Sequence, residues 1–495
     1  MSQFLLGYDI GSSSIKVTLL EIEKGHVVAS GISPKKEMAI TSHRKGWAEQ
    51  DPESWWGHVI EATNVLRKNF PFDPAEIKAI GISYQMHGLV LVDKNKKVLR
   101  PSIIWCDSRA VDIGDAAFKK MGEAITLAHL LNSPGNFTAS KMKWVKDNEP
   151  STYDKIDKFM LPGDYIAMKM TDNVRTTISG LSEGIFWDYQ KQELSELIMD
   201  EYGFDRSHVP EIVPTFGEQG FLSTDAAKAL GLNKNIPITY RAGDQPNNAF
   251  SLKVIKPGEI AATAGTSGVI YAITDKTNYD PKSRVNTFVH VNHNRNAPRY
   301  GVLLCVNGTG ILNSWLKHNM GHIDYQKMNR MAKNIPIGSE GVKILPFGNG
   351  AERILENLEL DAVFTGINFN RHHQGHLFRA AQEGIVFALN YGFDIMKKLD
   401  ISMEIVRAGL ANMFLSEVFR EAFVNTTRTT LELYNTDGAQ GAARAAGVGV
   451  KVYRNFDEAF NGLVIQEIVE PDKIRTERYD NEYNDWLNIL NFNLK

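Results

Sequence analysis

Ile260-Ala261-Ala262-Thr263-Ala264-Gly265-Thr266-Ser267-Gly268-Val269-Ile270-Tyr271-Ala272-Ile273 reads as a short apolar strand, a turn of glycine and hydroxyl residues, and a second apolar strand. Its design resembles an earlier stretch, Leu5-Leu6-Gly7-Tyr8-Asp9-Ile10-Gly11-Ser12-Ser13-Ser14-Ile15-Lys16-Val17, half a chain upstream. An internal repeat at that spacing predicts two related halves, each opening with a hairpin. Small hydroxyl turns leave several backbone N–H groups uncovered, a surface suited to phosphate oxygens. In the first copy Asp9 ends the outgoing strand, where a carboxylate could hold a hydrated Mg²⁺ against those phosphates. Lys16 on the return strand could add a neutralising charge. Alone, the first stretch fits an ordinary hairpin with a surface Asp equally well. A purely structural duplication does not explain why both turns carry glycine and hydroxyls.

At 495 residues the chain exceeds what one core holds, roughly 250–300 residues, so two large domains or three smaller ones are expected. We place the division between residues 1–242 and 243–495. A hydrophobic share of 43% and a charged share of 23% are ordinary for a globular protein. A net charge of −3 gives no reason to expect nucleic acid or an anionic membrane as partner. No window approaches the roughly 18 apolar residues of a membrane span. The N-terminal apolar run is short, broken by Asp9 and without a basic leader, unlike a signal peptide. Two cysteines, Cys106 and Cys305, lie far apart in apolar sequence and cannot build a disulfide scaffold. The expectation is a cytoplasmic protein.

Working outward from the hairpins, several apolar strands end in polar residues, as strands facing a cleft do. Ile77–Ser83 runs into Tyr84-Gln85-Met86-His87-Gly88, and Ile103-Ile104 into Trp105-Cys106-Asp107-Ser108-Arg109. Ile236–Ala242 ends at Gly243-Asp244, ahead of the small-residue start of a helix. Asp51-Pro52-Glu53 predicts a helix start, with Asp51 as cap and Pro52 in the first turn. In the second half, Val302–Cys305 leads to Val306-Asn307-Gly308-Thr309-Gly310, and Ile344–Arg353 forms a loop with an acidic-basic pair, Glu352-Arg353. A long buried helix is expected from about His376, its face reaching Leu399 and interrupted by Gly384 and Gly392 for close packing. Ile405–Asn412 reads as a strand-to-helix turn, Gly438–Ala443 as a small-residue helix start, and Tyr479, Tyr483, Trp486 and Leu490 as one face of a closing helix.

Five motifs in this order, Gly7-Tyr8-Asp9-Ile10-Gly11, Gln85-Met86-His87-Gly88, Trp105-x-Asp107-x-Arg109, Gly243-Asp244-Gln245 and Gly265-Thr266-Ser267-Gly268, resemble the FGGY carbohydrate kinases nearly end to end. Trp47–Pro52 and Lys141–Trp144 join the resemblance. It implies an α/β fold of two actin-like (ribonuclease H-like) ATPase domains around a central cleft. It also implies ATP and Mg²⁺, a sugar substrate and a homodimer. Residue by residue, it implies Asp244 as the proton acceptor, with Met86, His87, Trp105, Asp107 and Asp244 around the sugar. Asp9 and Asp244 would face the metal. Gly11, Ser12, Ser13, Lys16, Gly265, Thr266, Ser267, Gly308, Gly409 and Asn412 would surround the nucleotide. The sugar motifs most resemble members that phosphorylate D-xylulose; L-ribulose, glycerol and a sugar-free actin- or chaperone-like ATPase are the alternatives. Three departures stand out: Ala408 and Leu410 where the family's adenosine segment has glycine, Gln245-Pro246 after Asp244, and a partly met signature from Gly366 to Gly384.

Overall fold

The computed structural model describes residues 2–495. Two sheets organise the chain, and they share one strand order. In the first, Phe4–Ile10 lies between antiparallel Ile15–Glu21 and parallel Ile77–Tyr84. Val27–Ser33 extends the antiparallel side; Pro237–Gly243 and then Phe216–Phe221 extend the other. In the second, Ile260–Ala264 lies between antiparallel Gly268–Thr274 and parallel Ile405–Gly409. Tyr300–Val306 continues the antiparallel side, and Thr430–Tyr434 followed by Ile465–Val469 the other. Asn286–Val289 adds one more edge strand to this sheet. The repeat seen in sequence is therefore a repeat of topology: a three-strand antiparallel meander, two parallel crossover strands, and an antiparallel edge. These are the two actin-like units expected.

Alternation along the strands explains the packing. Leu6, Tyr8 and Ile10 face one side with Trp55, Val59 and Leu66 of helix Pro52–Asn69. That helix starts as its sequence predicts, with the Asp51 carboxylate accepting the Glu53 N–H at 3.0 Å. Leu5, Leu20 and Ala79 face the other side and meet Ala442, Ala443 and Ala446. Those alanines belong to helix Gly438–Gly449, which comes from the far end of the chain and lies on the first sheet. Glycine in the strands permits this approach: a Cβ on Gly7 would fall 2.0 Å from the Ala439 carbonyl oxygen, and one on Gly81 2.0 Å from that of Ala442.

Helix Gln374–Lys397 is the core of the second half, and a Cβ on Gly384 or Gly392 would fall 2.2 Å from Ile344 O or Leu304 Cδ1. Leu399, expected on its face, lies just past its end. Helix Lys473–Asn493 buries Tyr479, Tyr483, Trp486 and Leu490, as the pattern predicts. Cys106 corrects an expectation: despite its apolar sequence surroundings it is exposed, on a loop that turns outward beside half-exposed Trp105. Among the described residues, no helix is long and apolar enough to cross a membrane.

Candidate active site

Three parallel strands of the first sheet end side by side. Pairing sets Asp9 opposite Ser83 and Ile10 opposite Tyr84, and Tyr84 opposite Gly243. The residues that follow, Gln85-Met86-His87 and Asp244, therefore emerge at one edge with Asp9, where the carboxyl ends of parallel strands form a crevice.

Ser83 Oγ donates to Asp9 Oδ1 at 2.9 Å. The other carboxylate oxygen lies against the first residue of helix Gly438–Gly449, where a Cβ on Gly438 would come within 2.6 Å of Asp9 Oδ2. Burial holds the Asp9 carboxyl above its ordinary range; Ser83 opposes the shift, Asp437 adds to it, and Lys16, paired across the hairpin, opposes it. Asp244 opens helix Asp244–Ser251. Its pKa is pushed up to about 7, first by burial and then by the charge of Asp9. The two acids thus share one electrostatic site.

Gly243 cannot be larger: a Cβ there would fall 2.3 Å from Glu183 Oε2 and 2.6 Å from Met86 Cγ. Met86 is buried, and its side chain packs against Gly243, the residue before Asp244. Glu183 is buried too, and desolvation, with the charge of Asp244 next, raises its pKa well above its ordinary value. Beneath lies a buried ion pair, Arg241 Nε to Asp164 Oδ1 at 2.9 Å. Nothing local in the sequence marks Glu183, since its position depends on a fold-level contact.

His87 adopts φ 60°, and Lys141 holds it there: Lys141 Nζ donates to the carbonyls of His87 and Ile104, each at 2.9 Å. Burial brings the Lys141 pKa down to about 7. His87 Nδ1 lies 2.9 Å from the Glu183 carbonyl oxygen, so that nitrogen carries the proton and Nε2 is left as an acceptor. Burial, and next the Lys141 charge, push its pKa to about 3, so the ring is neutral. The sequence motif containing Lys141 was legible, but not this pinning role.

Trp105 Nε1 donates to Ser12 Oγ at 3.2 Å, which joins the polar loop to the first hairpin. Asp107 does not meet the cleft. It is fully buried, accepting the Ala48 N–H at 2.6 Å and Arg109 Nη2 at 2.7 Å, and so shapes the loop that carries Trp105.

The first turn is closed by Gly11 N–H to Ser14 O at 3.1 Å, and Gln50 and Met38 hold the carbonyls of Ser12 and Ser13 at 2.7 and 2.8 Å. The second turn is held by helix Gly310–Asn319: the N–H groups of Gly310 and Ile311 donate to the carbonyls of Gly265 and Thr266 at 3.0 and 3.1 Å. Against it opens a cavity of about 630 Å³, lined among others by Gly265, Thr266, Gly310, Asn313, Tyr325 and Asn412. This volume suits a nucleotide-sized ligand. Asn313 Oδ1 is buried without a partner in the chain.

Of the predicted nucleotide residues, Gly265, Thr266 and Asn412 meet at this cavity; Ser267, Gly308 and Gly409 do not line it. Gly308 has a packing reason instead, because its N–H is taken by Glu352 Oε1 at 3.0 Å and a Cβ would collide with Pro346 O. Gly310, two residues on, is the one that lines the cavity. Asn313, Tyr325 and Asn329 were missed, because helix faces at that range cannot be assigned to a cavity from sequence. Ala408 is buried within its strand and Leu410 lies outside the lining, so both departures fall away from this cavity.

Residues 4–251 match the FGGY family of carbohydrate kinases, N-terminal domain. The chain is 28% identical to the xylulose kinase of Escherichia coli (strain K12), over 96% of each sequence. It is also 28% identical to that of Bacillus subtilis (strain 168), over 92% of this chain and 90% of the relative. Among solved structures, the ligand-bound xylulose kinase of Lactobacillus acidophilus superposes with a TM-score of 0.90 at 21% identity, covering 99% of this chain and 98% of the other. The glycerol kinase of Plasmodium falciparum with ADP gives 0.88 at 22% identity, covering 98% of both. These two superpositions show the fold.

Proposed function

The chain belongs to the FGGY family of carbohydrate kinases, and from that premise we propose that it transfers the γ-phosphoryl group of ATP to the terminal hydroxyl of D-xylulose, yielding D-xylulose 5-phosphate and ADP. The observation that carries this reading is the placement of Asp244: a buried carboxyl pushed up to about 7 by burial and the charge of Asp9, directly after Gly243, against which Met86 packs. The relatives named above, xylulose kinases at 28% identity over nearly full length, support the choice of sugar.

In the proposed reaction the sugar lies between Met86, His87, Trp105 and Asp244, with its terminal hydroxyl toward Asp244. Asp244 orients that hydroxyl and takes its proton as the oxygen attacks the γ-phosphorus; the bond to the β-phosphate oxygen breaks and ADP leaves. His87 Nε2, an acceptor, binds a sugar hydroxyl and carries no charge to compete for phosphate. Ser12 and Ser13 of the first turn, Lys16, and Gly265, Thr266 and Ser267 of the second hold the phosphates, and Asn412 the nucleoside. Residues 1–242 act as the sugar side and 243–495 as the nucleotide side, and their closure excludes water.

Asp9 and Asp244 fit Mg²⁺. They are two buried carboxyls, the charge of Asp9 raising the proton affinity of Asp244, and among the described residues no cluster of three or more His, Cys, Asp or Glu forms a protein-only cage. Mg²⁺ retains water and phosphate ligands and binds through one or two carboxylates; it supplies charge neutralisation. The enzyme works in the cytoplasm, where its ATP is, and sedimentation tests the homodimer.

ADP release measured against a panel of ketoses and polyols tests the reading. D-xylulose should give the highest kcat/KM, with L-ribulose and glycerol lower by about 100-fold. A flat response across the panel overturns the kinase reading, and a different best substrate overturns the sugar.

A further inference from the structure

The acidic-basic pair Glu352-Arg353 lies at the end of a loop in the second half, yet its guanidinium reaches loops of the first. A Cβ on Gly135 would lie 3.5 Å from Arg353 Nη2, and Arg353 Cζ is 6.0 Å from the Phe137 ring centre. The Phe137 ring in turn meets His87 edge-on, with centres 4.8 Å apart. The charge of Arg353 is felt at His87, where it helps to depress the imidazole pKa. Arg353 therefore stands at the wall of the pocket assigned to the sugar.

Its bonding is incomplete. Nη1 donates to the Ser283 carbonyl at 3.2 Å, and Cys305 and Asp115 act on the charge without forming an ion pair with it. Other interior arginines make more or stronger contacts: Arg109 and Arg379 pair with carboxylates at 2.7 Å, Arg241 does so at 2.9 Å, and Arg444 donates to three carbonyl oxygens. Arg353 is half-buried and its remaining N–H groups are open to water, so a polar ligand entering beside them would replace that water with oxygen acceptors. Glu352 fixes the loop from which Arg353 reaches out. Its carboxylate accepts the N–H groups of Asn307 and Gly308, each at 3.0 Å, just ahead of the helix that holds the second hairpin.

We propose that Arg353 is a sugar-specificity residue supplied by the second half, its unengaged guanidinium N–H groups binding oxygen atoms of the acceptor sugar on the side of the pocket formed by Gly135, Phe137 and His87. The inference rests on the kinase reading and adds that the sugar is recognised from both halves. Calorimetric binding of D-xylulose, with steady-state kinetics, should be compared for wild type, Arg353→Met and Arg353→Lys. Charge-assisted hydrogen bonds of this kind predict a sugar Kd and KM about 10- to 100-fold higher in Arg353→Met, with the KM for ATP within threefold. Arg353→Lys should recover part of the loss, and carries the test if the methionine variant does not fold. Sugar Kd within twofold of wild type in the folded variants overturns the proposal, as does a fall in kcat with unchanged sugar KM. Wild-type protein that releases no ADP with any sugar would instead overturn the kinase reading beneath it.

Discussion

The two hairpins are built alike and equipped differently. Asp9 stands two residues before Gly11, and Thr263 stands two residues before Gly265, so the same position of the same fold holds an acid in one copy and a hydroxyl in the other. Their supports differ as well. The first turn is tied to the loop that carries Trp105 through Ser12. The second is bound to helix Gly310–Asn319 and borders the nucleotide-sized cavity. What the two copies share is backbone: a small-residue turn between antiparallel strands. Charge is placed once, beside Asp244. Duplication supplied two similar turns, and the chemistry follows from where the acid is kept.

The largest effect should come from the acid at the centre of that asymmetry. Asp244→Asn should lower kcat by about 10³- to 10⁴-fold in the ADP-release assay while the D-xylulose Kd stays within threefold, because proton acceptance is lost and the pocket is not. One substitution in each hairpin should show the asymmetry between them. Asp9→Asn should lower kcat about 100-fold, and Thr263→Val less than threefold. Equal losses in the two variants would show that the hairpins share the electrostatic work and would undo the asymmetry.

Much of this site was legible because its parts obey local rules. Strand ends at a crevice need small residues and polar tips, so Asp9, Met86, His87 and Asp244 stood out, and parallel pairing brought them together. Asp107 misled for the same reason, since an acid at a strand end looks alike whether it meets a ligand or, as here, Arg109 two residues on. Gly308 and Gly310 share one short motif, and only the start of the following helix decides which of them faces the cavity. Glu183 and Asn313 were beyond reach because each meets its neighbours through segments far away in sequence, and the Glu352-Arg353 pair was visible without any sign of the loops that Arg353 touches. Helix Gly438–Gly449 shows the limit well: its alanines announced close packing, but not that the surface packed against would be the first sheet, nor that its first residue would meet Asp9.

Two glycines sharpen the contrast between the copies at a smaller scale. A Cβ on Gly310 would fall 2.2 Å from Gly265 O and press on the second hairpin. Gly310→Ala should raise the KM for ATP about 10-fold with the sugar KM unchanged, because the displaced turn belongs to the nucleotide side alone. A rise in the sugar KM of equal size would show that the second hairpin is not confined to the nucleotide.

The smallest effect is the most direct reading of the crowded acids. Burial and the Asp9 charge raise Asp244 from the ordinary 3.8 to about 7. Protonated below that value, Asp244 cannot accept a proton, so kcat/KM should fall tenfold per pH unit below about 7. For stability the sign runs the other way. Between pH 3.8 and 7 the folded chain keeps a proton that the unfolded chain has released, so folding stability declines as pH rises through that window and levels off above it. Asp244→Asn removes the repelling charge, and the variant should melt about 1–2 °C above wild type at pH 8, the gap closing as pH falls toward 4. Melting curves with one pH dependence in both proteins would mean that Asp9 and Asp244 do not strain each other. The first hairpin would then carry no more charge stress than the second, and the difference between the two copies would have to lie in the ligand rather than in the fold.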